Sequence, residues 1–179
     1  MATNTAAPFG FRSFGQQDGA APTAGMDRMW INSSDTNNYF TGDPVILSTA
    51  APGFLTLPAS GTTTGQAIAG IFVGCEYYNP AVSKQVWSPY FPASAGSSSP
   101  VTAYVITNPQ QLFLVQGSTN AVLGTSVIGW NIGYASTSQA GGNTLSGISA
   151  VILASSTVTA ISSAARNPLS AALPSRRPS

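Results

Sequence analysis

The stretch from residue 66 to residue 92, QAIAGIFVGCEYYNPAVSKQVWSPYFP, constrains the fold more than any other part of the chain. Residues 67–78 begin as a run that is apolar on both faces and become amphiphilic towards their end. Residues 84–90 are rich in aromatic and β-branched side chains. Asn79-Pro80 between them is a dipeptide that favours turn initiation. The stretch therefore predicts a β-hairpin, which buries a large aromatic area for its length and on which the rest of the chain packs.

Short strands separated by clusters of Gly, Pro, Asn and Ser are predicted elsewhere in the chain. The tight turn at Pro52-Gly53 predicts a second hairpin. Residues 112–116 are apolar on both faces, so we expect them to be sandwiched, and the preceding NPQQ connector permits pairing with the strand before it. Outside the central hairpin, the predicted strands are residues 29–31, 45–47, 54–57, 101–107, 112–116, 122–130 and 148–161.

The run at residues 148–161, ISAVILASSTVTAI, leaves two secondary structures open. Its Ala and Leu residues are compatible with a helix. Thr157, Val158 and Thr159 favour a strand, because β-branched residues pack well on a pleated surface. We therefore predict a strand.

About nine short strands of this kind are typical of an all-β protein. We expect a sandwich or barrel-like body, of the jelly-roll or β-tulip type, at residues 26–165. Residues 1–25 are rich in Ala, Gly, Thr and Gln and predict an extended N-terminal arm. Residues 166–179 contain three Pro and predict a C-terminal tail, either solvated or seated on an acidic neighbour through two adjacent arginines.

Aromatic residues recur in the predicted arm, where Phe9, Phe11 and Phe14 flank Arg12. Two interpretations stay open. In one, the arm folds back onto the body of its own chain. In the other, the aromatic side chains dock into a neighbouring subunit, as arms that become ordered on a partner do.

The chain carries very little charge, which limits its partners. Charged residues make up 6% of it, with 6 Lys and Arg against 5 Asp and Glu and a net charge of +1. Such a chain produces only a weak electrostatic field, which attracts phosphates or anionic lipid poorly, so we predict no nucleic-acid partner. It lacks a signal-peptide pattern and an apolar run of about 18 residues, so we expect synthesis in a cytoplasm and no membrane span.

Catalytic groups are scarce in the sequence. The absence of His excludes a His-based charge relay, and a single Cys excludes an intrachain disulfide and a His/Cys metal cluster. Cys75 is either a nucleophile without a His to activate it or a small buried hydrophobe, and the second fits its apolar strand. We predict no enzyme activity, no cofactor and no metal.

The acidic residues do not predict a paired active site. Asp18, Asp27 and Asp35 fall in the arm or in a loop, and Asp43 precedes Pro in a turn, where Asp bonds nearby backbone N–H groups. Glu76 is expected to face solvent or to meet a basic residue across the hairpin. A pair of carboxylates for glycoside hydrolysis is therefore not expected.

The aromatic side chains of the central stretch have two possible roles. They could form a platform on which sugars stack, but core and interface packing is the expected role. Gly70 and Gly74, inside the first strand of the hairpin, predict a bulge or close packing rather than a phosphate loop. The core or interface aromatics are Tyr77, Tyr78, Trp87, Tyr90 and Phe91.

A series of short motifs resembles the capsid decoration (cement) proteins of tailed bacteriophages. The motifs are PFGFR at 8–12, GDPV at 42–45, GIFVGCEY at 70–77, SPYFP at 88–92, AYV at 103–105, NP at 108–109 and FLVQ at 113–116. Their order and spacing cover residues 8 to 116. The chain departs from the family pattern at Thr107-Asn108, where an acidic pair is usual, and at Phe91, where Trp is common. Beyond Gly117 little matches.

The resemblance implies a β-rich structural protein of the virion, on the outside of an icosahedral head, that clamps neighbouring major capsid proteins. It implies no enzyme activity. Its partners would be the major capsid protein and further copies of itself, as a homodimer or a homotrimer. We take Phe9, Phe11, Arg12 and Phe14 as the candidate capsid contacts.

Two other functions are weighed against this one. A carbohydrate-binding β-sandwich module, on a head fibre or a cell surface, would need Trp87, Tyr90 and Trp130 in an exposed row on one face. The major capsid protein itself is the other alternative, but the chain is too short and too rich in predicted strand for the usual tailed-phage shell protein.

Overall fold

The chain forms an all-β structure, as the sequence predicts. The structure, a computed structural model, describes residues 8–19, 25–58, 68–93, 95, 100–117, 131–134 and 141–159, and only the backbone of 131–134 and 154–159. About half of the confidently placed chain, 51%, is strand, and these residues include no helix. The strands are β1 (Arg12–Gln16), β2 (Asp27–Ile31), β3 (Tyr39–Phe40), β4 (Pro44–Leu47), β5 (Phe54–Thr56), β6 (Gly70–Asn79), β7 (Lys84–Ser88), β8 (Tyr90–Phe91), β9 (Val101–Ile106), β10 (Gln111–Leu114), β11 (Asn131–Tyr134), β12 (Gly142–Asn143), β13 (Ile148–Ser149) and β14 (Leu153–Thr159).

A closed barrel of five strands forms the body, in the order β4-β5-β2-β9-β6. It closes where β4 pairs with β6, with Pro44 opposite Ile71 and Val45 opposite Gly70. The β2–β5 pair is parallel and the other pairs are antiparallel. Of the two body architectures expected from the sequence, the barrel is the one observed.

The predicted central hairpin is confirmed as β6 and β7, joined by a turn that begins at Asn79. One edge of β6 pairs with β9, and its other edge pairs first with β4 and then, from Cys75 onward, with β7. A bulge between Phe72 and Gly74 marks the change of partner. As a result β7 lies outside the closed barrel and is an edge strand.

The barrel interior is filled by apolar and aromatic side chains. Tyr39 packs against Phe72 and Phe91, with ring centroids 5.9 and 6.3 Å apart, and Tyr77 meets Phe91 edge to face at 5.6 Å. Each fully buried side chain of this size stabilises the fold by about 1.5–3 kcal/mol. The cluster consists of Ile31, Tyr39, Val45, Leu55, Phe72, Cys75, Tyr77, Phe91, Val101, Ala103 and Val105.

The predicted pairing of residues 101–107 with residues 112–116 is wrong. The first run forms β9, but both edges of β9 are already occupied, by β2 and by β6. The second run forms β10, which leaves the barrel and pairs with β1 of the N-terminal segment. For the same reason β10 is not sandwiched, and its Leu112 and Leu114 side chains are exposed.

The other predicted elements have mixed outcomes. The Pro52-Gly53 hairpin is confirmed as β4 and β5. Within its described part, residues 148–159, the predicted run at 148–161 forms strands rather than a helix, but in two pieces, β13 and β14, which pair with β12 and β11 respectively. Predictions for residues 1–7, 122–130 and 166–179 lie outside the described residues.

A turn at residues 40–43 joins four parts of the chain, and we call it the hub. The Gly42 carbonyl accepts a hydrogen bond from Phe11 N–H at 2.9 Å, which ties the N-terminal segment to the barrel. The Gly42 N–H donates to the Phe72 carbonyl of β6 at 2.8 Å. Gly42 has φ +96°, and a Cβ there would lie 3.0 Å from the Phe11 nitrogen, so this close approach requires glycine.

Thr41 of the hub sits where β6 changes its partner. Its hydroxyl lies 2.6 Å from the Val73 carbonyl oxygen and 2.7 Å from that of Pro89. Its carbonyl accepts a hydrogen bond from Ser149 N–H at 3.0 Å. Where β6 changes its partner from β4 to β7, some backbone groups have no neighbouring strand to bond. Thr41 provides hydrogen bonds for these groups.

Asp43 fixes the hub from inside the protein. Its side chain is buried and accepts hydrogen bonds from Phe40 N–H at 2.8 Å and from the Ser149 hydroxyl at 2.5 Å. The predicted bond from a turn aspartate to nearby backbone N–H is thus confirmed. Burial raises the pKa of Asp43 to about 7, and the hydrogen bonds from Ser149 and Phe40 oppose that rise.

The raised pKa of Asp43 predicts that the protein is more stable at acidic than at neutral pH. The folded protein favours the protonated form of Asp43. The contribution of this group to the stability of the fold is therefore complete below the unfolded pKa of 3.8 and is lost as the pH rises through about 7. Between these two pH values, the contribution of Asp43 to the free energy of unfolding should fall by about 1.4 kcal/mol for each unit of pH rise.

The measurement is urea unfolding of the wild type and of Asp43→Asn between about pH 5 and about pH 8. Asn keeps an acceptor for Phe40 N–H but does not ionise, so the variant should have a much flatter dependence of stability on pH. Equal slopes for the two proteins would contradict the assignment of the effect to Asp43.

Candidate functional site

The N-terminal segment folds back onto its own chain, which is one of the two interpretations of the arm. Phe11 packs edge to face on Phe113, with ring centroids 6.2 Å apart, and Phe9 is also half-buried. Arg12 and Phe14 instead point outward, and Phe14 is 71% exposed. The four candidate capsid contacts therefore divide into two that face the body and two that face solvent.

Strands β1 and β10 form a two-stranded ribbon with one exposed apolar face. Arg12 lies opposite Leu114, and Phe14 occupies the irregularity in the register between Ser13 and Gly15. Leu112 is 45% exposed and Leu114 53% exposed. We call the set Arg12, Phe14, Leu112 and Leu114 the ribbon face.

The opposite side of the ribbon anchors it. The Gln111 amide nitrogen donates to the Ser13 hydroxyl and to the Gly15 carbonyl, both at 2.7 Å, and the Gln111 side chain is buried. These bonds cross between the two strands next to the Phe11–Phe113 pair. The ribbon face is thus held in one arrangement before any partner arrives.

The leucines of the ribbon face were not among the residues that the sequence singled out. The run 112–116 has no polar residue until its end, and that pattern suggested burial on both sides. The alternation of burial along β10, from buried Gln111 to exposed Leu112, depends on pairing with β1. No local signal in the sequence identifies β1 as that partner.

The five core or interface aromatics do not form one cluster. Tyr77 and Phe91 are buried in the barrel. Tyr90 stacks on Phe40, with centroids 5.7 Å apart and an interplanar angle of 11°. Tyr78 and Trp87 are exposed on the hairpin.

A second surface lies on the outer wall of the barrel. Pairing in register places Trp87, Glu76, Thr102, Trp30 and Phe54 side by side across five strands. Residues directly opposite each other share a face of a sheet, so all five side chains point outward. Trp30 is 56% exposed and Trp87 60% exposed. We call this set the wall row.

A cleft of about 250 Å³ opens beside Trp87 on the same wall. The Arg28 guanidinium carbon lies 5.8 Å from the centroid of the Tyr104 ring, within the range of a cation–π interaction. A side-chain hydrogen bond to Glu76 is the main cause that raises the pKa of Tyr104 above its usual value. The residues that line this cleft, which we call the wall cleft, are Met26, Val73, Gly74, Glu76, Trp87 and Tyr104.

The row expected for a carbohydrate-binding module is not the one observed. Trp87 lies on the wall, but Tyr90 stacks on Phe40 at the hub, and Trp130 lies outside the described residues. The aromatic residues on the same wall as Trp87 are instead Tyr104, which lines the cleft with it, and Trp30, which lies further along the row. Sequence reasoning did not select these two, because they lie on strands far from residue 87 in the chain.

The potentially reactive groups have structural surroundings. Cys75 is fully buried, and burial, followed by the charge of Glu76, raises the pKa of its thiol to about 12, so the thiol packs as a small hydrophobe. Asp35 accepts a hydrogen bond from Asn37 N–H at 2.9 Å and one from the Tyr39 hydroxyl, and Asp27 accepts one from the Thr107 hydroxyl. These carboxylates stabilise loops and strand ends.

Neither a metal cluster nor a membrane span is found in the described part of the chain. No group of three or more His, Cys, Asp or Glu side chains within it could hold a metal ion. Within the same residues, no helix is long and apolar enough to cross a membrane.

Comparisons of the chain with protein-family models, with curated proteins and with solved structures give no match. The likeness to decoration proteins therefore rests on the short motifs themselves. Three of them, at residues 8–12, 42–45 and 88–92, meet at the hub, where Phe11 N–H donates to the Gly42 carbonyl and Thr41 N–H donates to the Pro89 carbonyl.

Proposed function

We propose that this chain is a structural virion protein that binds the outside of a phage icosahedral head and cements neighbouring major capsid proteins. The observation that carries the proposal is the ribbon face. It is an exposed apolar surface, held rigid from behind, on a segment that lies outside the barrel. The motif resemblance supports the same function.

The ribbon face suits docking to a protein shell on energetic grounds. Phe14, Leu112 and Leu114 leave about half or more of their surfaces in water, and burying such area is favourable by about 25 cal/mol per Å². Because the ribbon is already ordered, little conformational entropy is lost on binding. Arg12 adds a bidentate donor for a carboxylate or carbonyl of the shell.

The low charge of the chain fits a protein that covers a surface in many copies. With a net charge of +1, neighbouring copies repel each other weakly. Modest contacts at each site then add up, since every copy that bridges two shell subunits raises the effective concentration of the next contact. The partners we propose are the major capsid protein and further copies of this chain, as a dimer or a trimer.

The test is binding to expanded, undecorated heads of the phage that encodes the chain, measured by co-sedimentation. Replacing Phe14, Leu112 and Leu114 together by Ser should lower the affinity by at least about tenfold, because the apolar contact area is lost. The three side chains are exposed, so the thermal transition should change little. Saturation at a fixed ratio to the shell subunit would give the copy number.

Val82→Ser is the matched control. Val82 is also apolar and exposed, but it lies in the β6–β7 turn, away from the ribbon. It should bind heads as the wild type does. If the wild type does not bind heads, the proposed function is wrong. If the triple variant binds as well as the wild type, the ribbon face is not the surface that contacts the shell. Deleting residues 1–15 is a less specific test, because it removes most of β1 and breaks the ribbon.

A further inference from the structure

We infer that the wall cleft binds one ring of a neutral sugar. This activity lies beyond the proposed attachment to a capsid and uses a different surface. The inference rests on the shape of the cleft, its pair of aromatic walls and its balanced polar groups.

Gly74 creates the cleft. A Cβ at this position would lie 2.9 Å from the Trp87 Cζ2 atom and 3.0 Å from the Ser88 carbonyl oxygen, so any larger residue would push the indole away. With glycine there, the Trp87 ring lies against the backbone of β6 and still keeps 60% of its surface exposed. A flat aromatic surface is therefore fixed in place and accessible.

The second aromatic wall and the polar groups come from β9 and β6. Tyr104 of β9 lines the cleft beside Glu76 of β6, and the Arg28 guanidinium packs over the Tyr104 ring. Sugars present an apolar C–H face, which stacks on aromatic rings, and hydroxyls, which both donate and accept. Trp87 offers the stacking surface, Glu76 accepts, and the Tyr104 hydroxyl can donate or accept.

The charge of the cleft favours a neutral ligand. Glu76 carries a negative charge in the lining of the cleft, and Arg28, which packs over the ring of Tyr104 without lining the cleft, carries a positive charge that offsets it. An anionic ligand such as a phosphate would be repelled by the carboxylate, and the nearby guanidinium weakens the attraction for a cation. A polar molecule without net charge avoids both effects.

The size of the cleft favours one ring. Its volume of about 250 Å³ lies just below the range of about 300–1,000 Å³ that is usual for drug-sized ligands. Trp30, further along the wall row, lies outside the lining of the cleft. Recognition therefore rests on Trp87, Tyr104 and Glu76, and Trp30 is not required.

The experiment uses the full chain on an array of neutral oligosaccharides, followed by titration of the methyl glycoside of the best-bound sugar with tryptophan fluorescence as the readout. The wild type should be retained on at least one neutral glycan and not on anionic glycans. Trp87→Ala and Glu76→Ala should each weaken binding by about tenfold or more, because they remove the stacking surface and the acceptor.

Trp30→Ala is the matched control, since it removes an exposed indole from the same wall without touching the cleft, and it should bind the glycan as the wild type does. Retention on no neutral glycan would overturn the inference, as would unchanged binding by both Trp87→Ala and Glu76→Ala.

The two functions can fail separately. The ribbon-face triple variant should lose head binding and keep glycan binding, and Trp87→Ala should do the reverse. If Trp87→Ala loses head binding and the wild type binds no glycan, the wall contacts the shell protein. That result would overturn the sugar site.

Discussion

The buried carboxylate of Asp43 is the constraint on which the rest of this structure depends. It holds the hub closed by accepting from Phe40 N–H and from the Ser149 hydroxyl, and β4 begins at the next residue. Gly42 in the same turn bonds Phe11, so the N-terminal segment reaches β10 from a fixed point. The closure of the barrel and the position of the ribbon therefore both depend on the hub. A buried carboxylate is a costly way to fix a turn, and it makes the stability of the fold sensitive to pH.

A closed barrel leaves few free strand edges, and this decides where the chain can interact with partners. The edges of β9 are both occupied, so β10 has to find its partner outside the barrel, and it finds β1. The ribbon that results exposes leucines and Phe14. The outer wall of the barrel carries a different chemistry, two indoles with a balanced pair of charges. One chain therefore offers an apolar surface on the ribbon and an aromatic cleft on the wall, and these are the surfaces that we propose for the shell protein and for the neutral ligand.

The sequence predicts what is local in this fold and misses what depends on distant pairing. Asn79-Pro80 and Pro52-Gly53 are strong turn signals, and both hairpins form as expected. Burial of Cys75 follows from its apolar strand, and the backbone contact of Asp43 from its place in a turn. The partner of β10 is set by which edges the barrel leaves open, and no nearby residue encodes that. The alignment of Trp30 and Trp87 in one row likewise depends on the register of four strands drawn from distant parts of the chain.

The measurement that tests the central claim most directly is an electron cryomicroscopy reconstruction of expanded heads saturated with the full chain. We expect ordered density for the barrel on the outer surface of the shell, with Phe14, Leu112 and Leu114 against the major capsid protein and the Trp87 wall turned to solvent. Density in which the ribbon face points to solvent, or heads that stay undecorated, would contradict it.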